Sequence, residues 1–268
     1  MKADLHTHTN FSDGRYSVDE LLDYAIFNNI DIISITDHDC FDGVKIAALT
    51  NKPIKVIYGI ELSTFKNDES IHILGYFKDL NNINMLEPIL KKQVEKRKDR
   101  ALLMLDKLKE HFNIDLDRKF LGDIKSVTRG SIAREIIRQG YPYTNHQIFE
   151  KMIGDDKPAY IPSSKMDTKK GIELIHECGG LAVMAHPMLV KKNNVEDIIE
   201  LGVDGIEAVY PNKKSEEEKY RSLAKKYKLF ITGGTDFHHF DDGKHGNIGQ
   251  VYINGQDLDK FLKELYER

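Results

Sequence analysis

The sequence predicts an α/β protein, with parallel strands and crossover helices arranged as a barrel or an open sheet. Three observations carry this. Short β-rich runs recur along the 268 residues. Amphipathic helical patterns fall between them. Several runs are apolar throughout, as strands buried on both faces are.

The expected strands are KADL (2–5), DIISIT (31–36), IKVIYGI (54–60), SIHILGY (70–76), LAVMA (181–185), GIEAVY (205–210) and LFIT (229–232). QVYIN (250–254) is a candidate extra strand. The first helix is SVDELLDYAIFNN, where Ser17 and Glu20 have capping-box spacing. Val18, Leu21, Leu22, Ala25 and Ile26 give it one apolar face. Further helices are expected over 43–49, 170–178, 194–201, 215–227 and 257–266.

The alternation breaks over 82–165, which reads as helical at 84–111, 131–139 and 145–152. This segment is expected to be an insertion of helices, not a separate folding domain, and a cap over the active-site face. Residues 1–81 and 166–268 then form the main domain. Residues 91–109 carry a basic run, which reads as the solvated face of a long helix or as a surface for phosphate or nucleic acid.

Composition excludes several classes. No run of about 18 apolar residues is present, so no membrane-spanning helix and no membrane partner is expected. The start, MKADLHTHTN, lacks an apolar signal region, and a cytoplasmic protein is expected. The two cysteines, Cys40 and Cys178, make neither a disulfide framework nor a thiolate zinc finger. A net charge of -4 argues against coating nucleic acid through bulk charge.

The placement of metal-ligand residue types is more specific. His6 and His8 follow the first strand, and Asp37 and His38 follow the second. Glu61 follows the third, His72 lies in the fourth, His186 follows LAVMA, and Asp236 and His238 follow LFITGG. In a parallel barrel the C-terminal strand ends converge on one face, where active sites are built. His6 and His8 are two apart, so extended chain points both side chains the same way. Mixed imidazoles and carboxylates suit Zn, Mn or Fe. His111, His146 and His176 read as structural, while His239 and His245 are near the site but lack a strand-end position.

In order, DLHTHTNFSDG, ITDHDCFDG, GIELS, IHILGY, MAHP and GTDFH resemble the motifs of the PHP (polymerase and histidinol phosphatase) superfamily of metal-dependent phosphoesterases. The likeness covers roughly 1–80 and 170–254. It is greatest to the TrpH-like branch of nucleotide phosphatases and 5'-3' exoribonucleases. Asp13 in FSDG stands where histidinol-phosphate phosphatases carry histidine, and the segment after GYF also resembles that branch. The segment RGSIAR departs from it, with Gly130 and Ser131 in place of Pro-His.

The resemblance implies a distorted seven-stranded (β/α)7 barrel with a helical insertion and three divalent ions, Mn, Zn or Fe. It assigns His6, His8, Glu61 and Asp236 to the first ion. Glu61, His72 and His186 take the second, with Glu61 bridging. Asp13, His38 and His238 take the third. Glu61, Asp37 and His238 are the implied catalytic residues, with Asp37 orienting a histidine or a bound water. Three divalent ions against three carboxylates leave a positive pocket suited to phosphate. The implied reaction is attack of a metal-activated hydroxide on phosphorus.

The expected substrates are small nucleotides such as adenosine 3',5'-bisphosphate, and also 5' ends of short oligoribonucleotides. The alternatives are another phosphomonoester such as histidinol phosphate, or a non-catalytic binding module. Arg129 and Arg134 are the candidate substrate contacts, because a guanidinium matches phosphate bidentately. The LSTFKNDES loop and Tyr210–Asn212 are expected to line the mouth. No stable protein partner is implied.

Overall fold

The computed structural model describes residues 1–81, 83–123, 127–162 and 165–267. The chain divides into two compact units, Met1–Ile89 with Met166–Arg268, and Leu90–Lys165.

The first unit holds nine strands: β1 (Lys2–Thr7), β2 (Ile32–Ile35), β3 (Lys55–Lys66), β4 (Glu69–Phe77), β5 (Met166–Asp167), β6 (Leu181–Met184), β7 (Gly205–Val209), β8 (Phe230–Gly233) and β9 (Ile253–Asn254). Their order is β8-β7-β6-β4-β3-β2-β1-β9, with β5 paired to β3. Past β8 the chain turns back onto β1. Thr7 and Phe237 form a parallel bridge, and Asp236 N–H donates to the His6 carbonyl at 2.8 Å. The sheet is therefore nearly closed, as the seven expected strands require. Gly234 makes that closure sterically possible, since a Cβ there would lie 2.4 Å from the His6 nitrogen. Asp4 fastens the seam by accepting from Thr235 N–H at 2.9 Å and from its hydroxyl at 2.6 Å.

Two expectations are corrected. The strands are not all parallel, because β4 runs antiparallel to both β3 and β6. The LSTFKNDES segment is not a mouth loop. Leu62–Lys66 continue β3, and Asn67 (φ 43) and Asp68 (φ 58) make the tight turn into β4. Two positive φ values at the tip match the twist of a two-residue hairpin. The reversal matters for function. His72 lies near the start of β4, opposite Ser63, and so reaches the end where the other strands finish.

Helices α1 (Val18–Phe27), α2 (Asp42–Ala47), α7 (Thr168–Glu177), α8 (Val195–Ile199), α9 (Lys214–Tyr227) and α10 (Gly255–Glu267) accompany the strands. The Ser17–Glu20 box caps α1 in both directions, and Val18, Leu21, Leu22 and Ala25 are buried beneath it. The core includes Ala3, Leu5, Ile32, Ile57, Tyr76, Val183 and Phe261. No helix among the described residues is long and apolar enough to cross a membrane.

The second unit contains most of α3 (Ile83–Phe112), with α4 (Phe120–Asp123), α5 (Arg129–Arg138) and α6 (Asn145–Ile148), which continues as a π turn over Phe149–Ile153. It has its own apolar cluster, including Met104, Leu108, Ile132, Ile136, Ile148 and Met152. Ser131, at the departure from the family pattern, has a local role. It closes a capping box with Thr128 at the start of α5.

Candidate metal centre

Six strands deliver the expected ligands to one place, with Glu61 at its middle. Glu61 Oε2 lies 3.3 Å from His6 Nε2, 3.2 Å from His8 Nε2 and 3.2 Å from His38 Nδ1. Glu61 Oε1 lies 2.8 Å from His72 Nδ1 and 3.1 Å from His186 Nε2. Asp236 Oδ1 is 3.3 Å from His6 Nε2 and 3.2 Å from His8 Nε2. The two imidazole nitrogens are themselves 3.2 Å apart.

These distances have a simple reading. A tetrahedron with edges near 3.3 Å has its centre about 2.0 Å from each corner, the usual Zn–N and Zn–O bond length. Glu61 Oε2 is buried and makes no hydrogen bond, although three imidazole nitrogens surround it. An orphaned buried carboxylate oxygen is costly, and a cation satisfies it. His6, His8, Glu61 and Asp236 could hold one ion, and His38, Glu61 and His72 a second. Farther out, His8, Asp13, His38 and His238 could hold another, with His238 Nε2 at 3.2 Å from Asp13 Oδ1. His38 faces both ways, its Nε2 lying 3.7 Å from Asp13 Oδ2.

Electrostatics follow from this crowding. Burial alone would lower the His8 pKa, but Asp236 and Glu61 beside it push it up to about 10. Burial likewise opposes protonation of His6, and Asp236, Glu207 and Glu61 raise it well above the usual value. Burial dominates at His38, which falls to about 4 despite Glu61 and Asp13. Burial would raise Glu61, yet His38, His72 and His6 hold it well below the carboxylate range. Without an ion, protons on the inner imidazoles balance the buried carboxylates.

A ring of buried acceptors sets the imidazole orientations. His6 Nδ1–H donates to Glu207 at 3.0 Å, which leaves Nε2 toward Glu61. Glu207 also accepts from the His186 backbone N–H at 2.8 Å. His238 Nδ1–H donates to the Asp236 carbonyl at 2.7 Å. Ser12 Oγ donates to Asp37 at 2.6 Å and lies 3.4 Å from His8 Nδ1. Tyr210 donates to Asp236 Oδ2 at 2.7 Å, turning Oδ1 inward. Such outer partners fix tautomer and ring direction at metal sites. Two expected ligands sit in left-handed backbone, His186 at φ 26 and Asp236 at φ 52.

The profile of the PHP domain matches residues 4–152, more than half of the chain. The chain belongs to the PHP domain family. It is 32% identical over 248 residues to the 5'-3' exoribonuclease of Haemophilus influenzae, covering 88% of this chain and 90% of that protein. It is 27% identical over 252 residues to the 3',5'-nucleoside bisphosphate phosphatase of Chromobacterium violaceum, covering 88% and 86%. A crystal structure from Bifidobacterium adolescentis, described as a metal-dependent phosphoesterase, shares the fold. Its TM-score is 0.77 at 24% identity, over 98% of this chain and 96% of that one.

Within this PHP domain the expected residues have the following positions. The inner four and the Asp13 group each gather as sets, while His72 and His186 meet at Glu61 Oε1. Asp37 lies behind His8, on the far side of Ser12. Its carboxylate accepts from Thr9 N–H at 2.7 Å, Thr9 Oγ1 at 2.6 Å and Ser12 Oγ, and so reaches His8 only through Ser12. Arg129 donates to Asp155 at 2.7 Å and lies over the Tyr160 ring, while Arg134 is exposed. Tyr210, expected to line the mouth, is buried with its hydroxyl on Asp236 Oδ2. Glu207 was not anticipated. The available signal was a lone carboxylate inside the apolar run GIEAVY, since glutamate is seldom fully buried without a partner. His245 also joins the cluster, stacked on His238 with centroids 4.1 Å apart.

Proposed function

We propose that this PHP domain is a metal-dependent phosphoesterase acting on nucleoside 3',5'-bisphosphates and on the 5' ends of short RNA. The observation that carries the proposal is the convergence of five imidazoles on buried Glu61, one of whose oxygens lacks a hydrogen-bond partner. His6, His8, Glu61 and Asp236 would hold the first ion, Glu61, His72 and His186 the second, and Asp13, His38 and His238 the third. Mn, Zn and Fe all suit these donors. When bound, the ions supply Lewis acidity for the phosphoryl oxygens and make water acidic enough to react near neutral pH.

The chain's own residues account for the rest. Glu61 would offer one oxygen to each of the first two positions. Glu207, Ser12 with Asp37, and the Asp236 carbonyl keep the imidazole lone pairs turned inward. Arg129 and Arg134 are the proposed contacts to a second phosphate. Arg129 would exchange its exposed partner Asp155 for the substrate. A non-catalytic module is disfavoured, because such a module has no need of nine ligand side chains at this spacing.

The test is phosphate release by metal-free and Mn-loaded protein. The panel contains adenosine 3',5'-bisphosphate, a short 5'-phosphorylated RNA and histidinol phosphate. Mn-dependent turnover of the first two is expected. Preference for histidinol phosphate would overturn the substrate assignment, and no turnover of any ester would overturn the activity.

A further inference from the structure

His245 is the imidazole that the nine expected ligands do not explain. Its Nδ1–H donates to Asp242 Oδ2 at 2.6 Å. Asp242 is itself held in place, accepting the backbone N–H groups of Lys244 and His245 at 2.8 Å each. This is the construction found at His6, where a carboxylate takes one ring nitrogen and leaves the other facing the cluster. The free face of His245 Nε2 looks toward Asp236 Oδ2, 3.8 Å away. One ion with bonds of about 2.1 Å to each atom spans up to about 4.2 Å, so both fall within reach of a single ion.

Three further facts bear on this. Ligand atoms of Asp236, His238 and His245 all lie within 4.8 Å of one another. The His245 ring stacks on His238, which in turn stacks on His8 with centroids 4.3 Å apart. Asp236 Oδ2 already accepts from Tyr210, and a carboxylate oxygen has a second lone pair to offer.

We infer that His245, with the outer oxygen of Asp236, holds an additional, exchangeable divalent ion at the edge of the cluster. The inference rests on the metal-centre reading above. Asp236 then serves two ions, Oδ1 turned inward and Oδ2 outward. The site has few protein ligands and a side chain 23% exposed, so water or a substrate oxygen completes its coordination. It binds more weakly than the inner positions.

The probe is Mn(II) added to chelated, dialysed protein, with free Mn(II) followed by electron paramagnetic resonance at fixed pH. The wild type should show a tight class of sites and a weaker one. His245→Ala and His245→Phe should both lose the weaker class and keep the tight one. Phenylalanine preserves the stack but not the lone pair. Asp242→Asn should weaken that class by roughly 10- to 100-fold. Survival of the weaker class in His245→Phe, or an unchanged isotherm in His245→Ala, overturns the inference. Circular dichroism checks folding. Should His245→Ala fail to fold, unchanged weak-class affinity in Asp242→Asn overturns the inference instead. A wild type that binds no Mn(II) overturns the metal-centre reading along with it.

Discussion

The inner and outer parts of the cluster reach similar distances by different means. Inside, Glu61 and Asp236 are almost wholly buried, and His6 and His8 are fully so. Each inner side chain leaves a strand or a strand end, and buried acceptors behind the rings hold them. Outside, Asp13 is 52% exposed and rides on a loop. That loop is tied down by Arg15 N–H donating to the His238 carbonyl at 2.9 Å and by Tyr16 stacking on Phe237. Buried charges on rigid elements are placed before an ion arrives, whereas a loop carboxylate can follow one. The inner positions should therefore hold their ions longest, and the Asp13 position should exchange sooner while staying within the tight class, outside which the His245 site stands.

The strongest way to break this contrast is at its hub. Glu61→Gln should lose at least two ions per chain and lower turnover by roughly a thousandfold or more. Asp13→Asn should lose one ion and cost roughly 10- to 100-fold. Elemental analysis and phosphate release on both variants make the comparison. Equal losses of metal and rate would remove the distinction between hub and rim.

Next in size is the support behind the hub. Glu207→Gln touches no ion, yet it should weaken inner-site affinity by roughly 10- to 100-fold, because His6 loses its carboxylate partner. Competition with a calibrated chelator measures this. Unchanged affinity would mean that β1 alone orients the ring.

The pH dependence sharpens the contrast further. In the metal-free protein His8 titrates near 10, raised above 6.5 by Asp236 and Glu61 against the opposing effect of burial. It is therefore protonated at neutral pH, and metal loading must release its proton. A pH-indicator dye in weak buffer should register that release, and inner-site affinity should fall as pH is lowered. The sign for stability is the opposite. The raised His8 pKa stabilises the metal-free protein fully below about pH 6.5, and this contribution disappears as pH rises through about 10. Melting temperatures of chelated protein across that range check it.

The smallest effect concerns the second unit. Arg134→Ala, at an exposed position, should raise the Michaelis constant for a bisphosphorylated nucleotide by about tenfold, near 1.4 kcal/mol. Hydrolysis of p-nitrophenyl phosphate should be unchanged. Equal loss on both esters would count against a role in substrate contact.

Much of this was legible in the sequence, for definite reasons. His6, Glu61 and Asp236 could be found because chemistry-bearing residues at strand ends interrupt an otherwise apolar rhythm. The direction of β4 could not be read from that rhythm, since an antiparallel buried strand has the same composition as a parallel one. The Asn67–Asp68 turn was the missed clue, hidden because Leu62–Lys66 is polar enough to pass for a loop. Glu207 lay unnoticed within a strand, because its partner, His6, is 201 residues away. His245 was passed over since it follows no strand. Its place is set by the Asp242 turn and by stacking, neither of which has a periodic signature.

The central claim is that Glu61 and its neighbours are a metal centre and not a self-compensating buried ion network. Anomalous diffraction at the Mn edge, from crystals of Mn-loaded protein, tests it most directly. The expected result is a peak about 2.0–2.2 Å from His6 Nε2, His8 Nε2, Glu61 Oε2 and Asp236 Oδ1, with a second beside Glu61 Oε1. Full-strength Mn elsewhere with no peak among those four atoms would contradict the account.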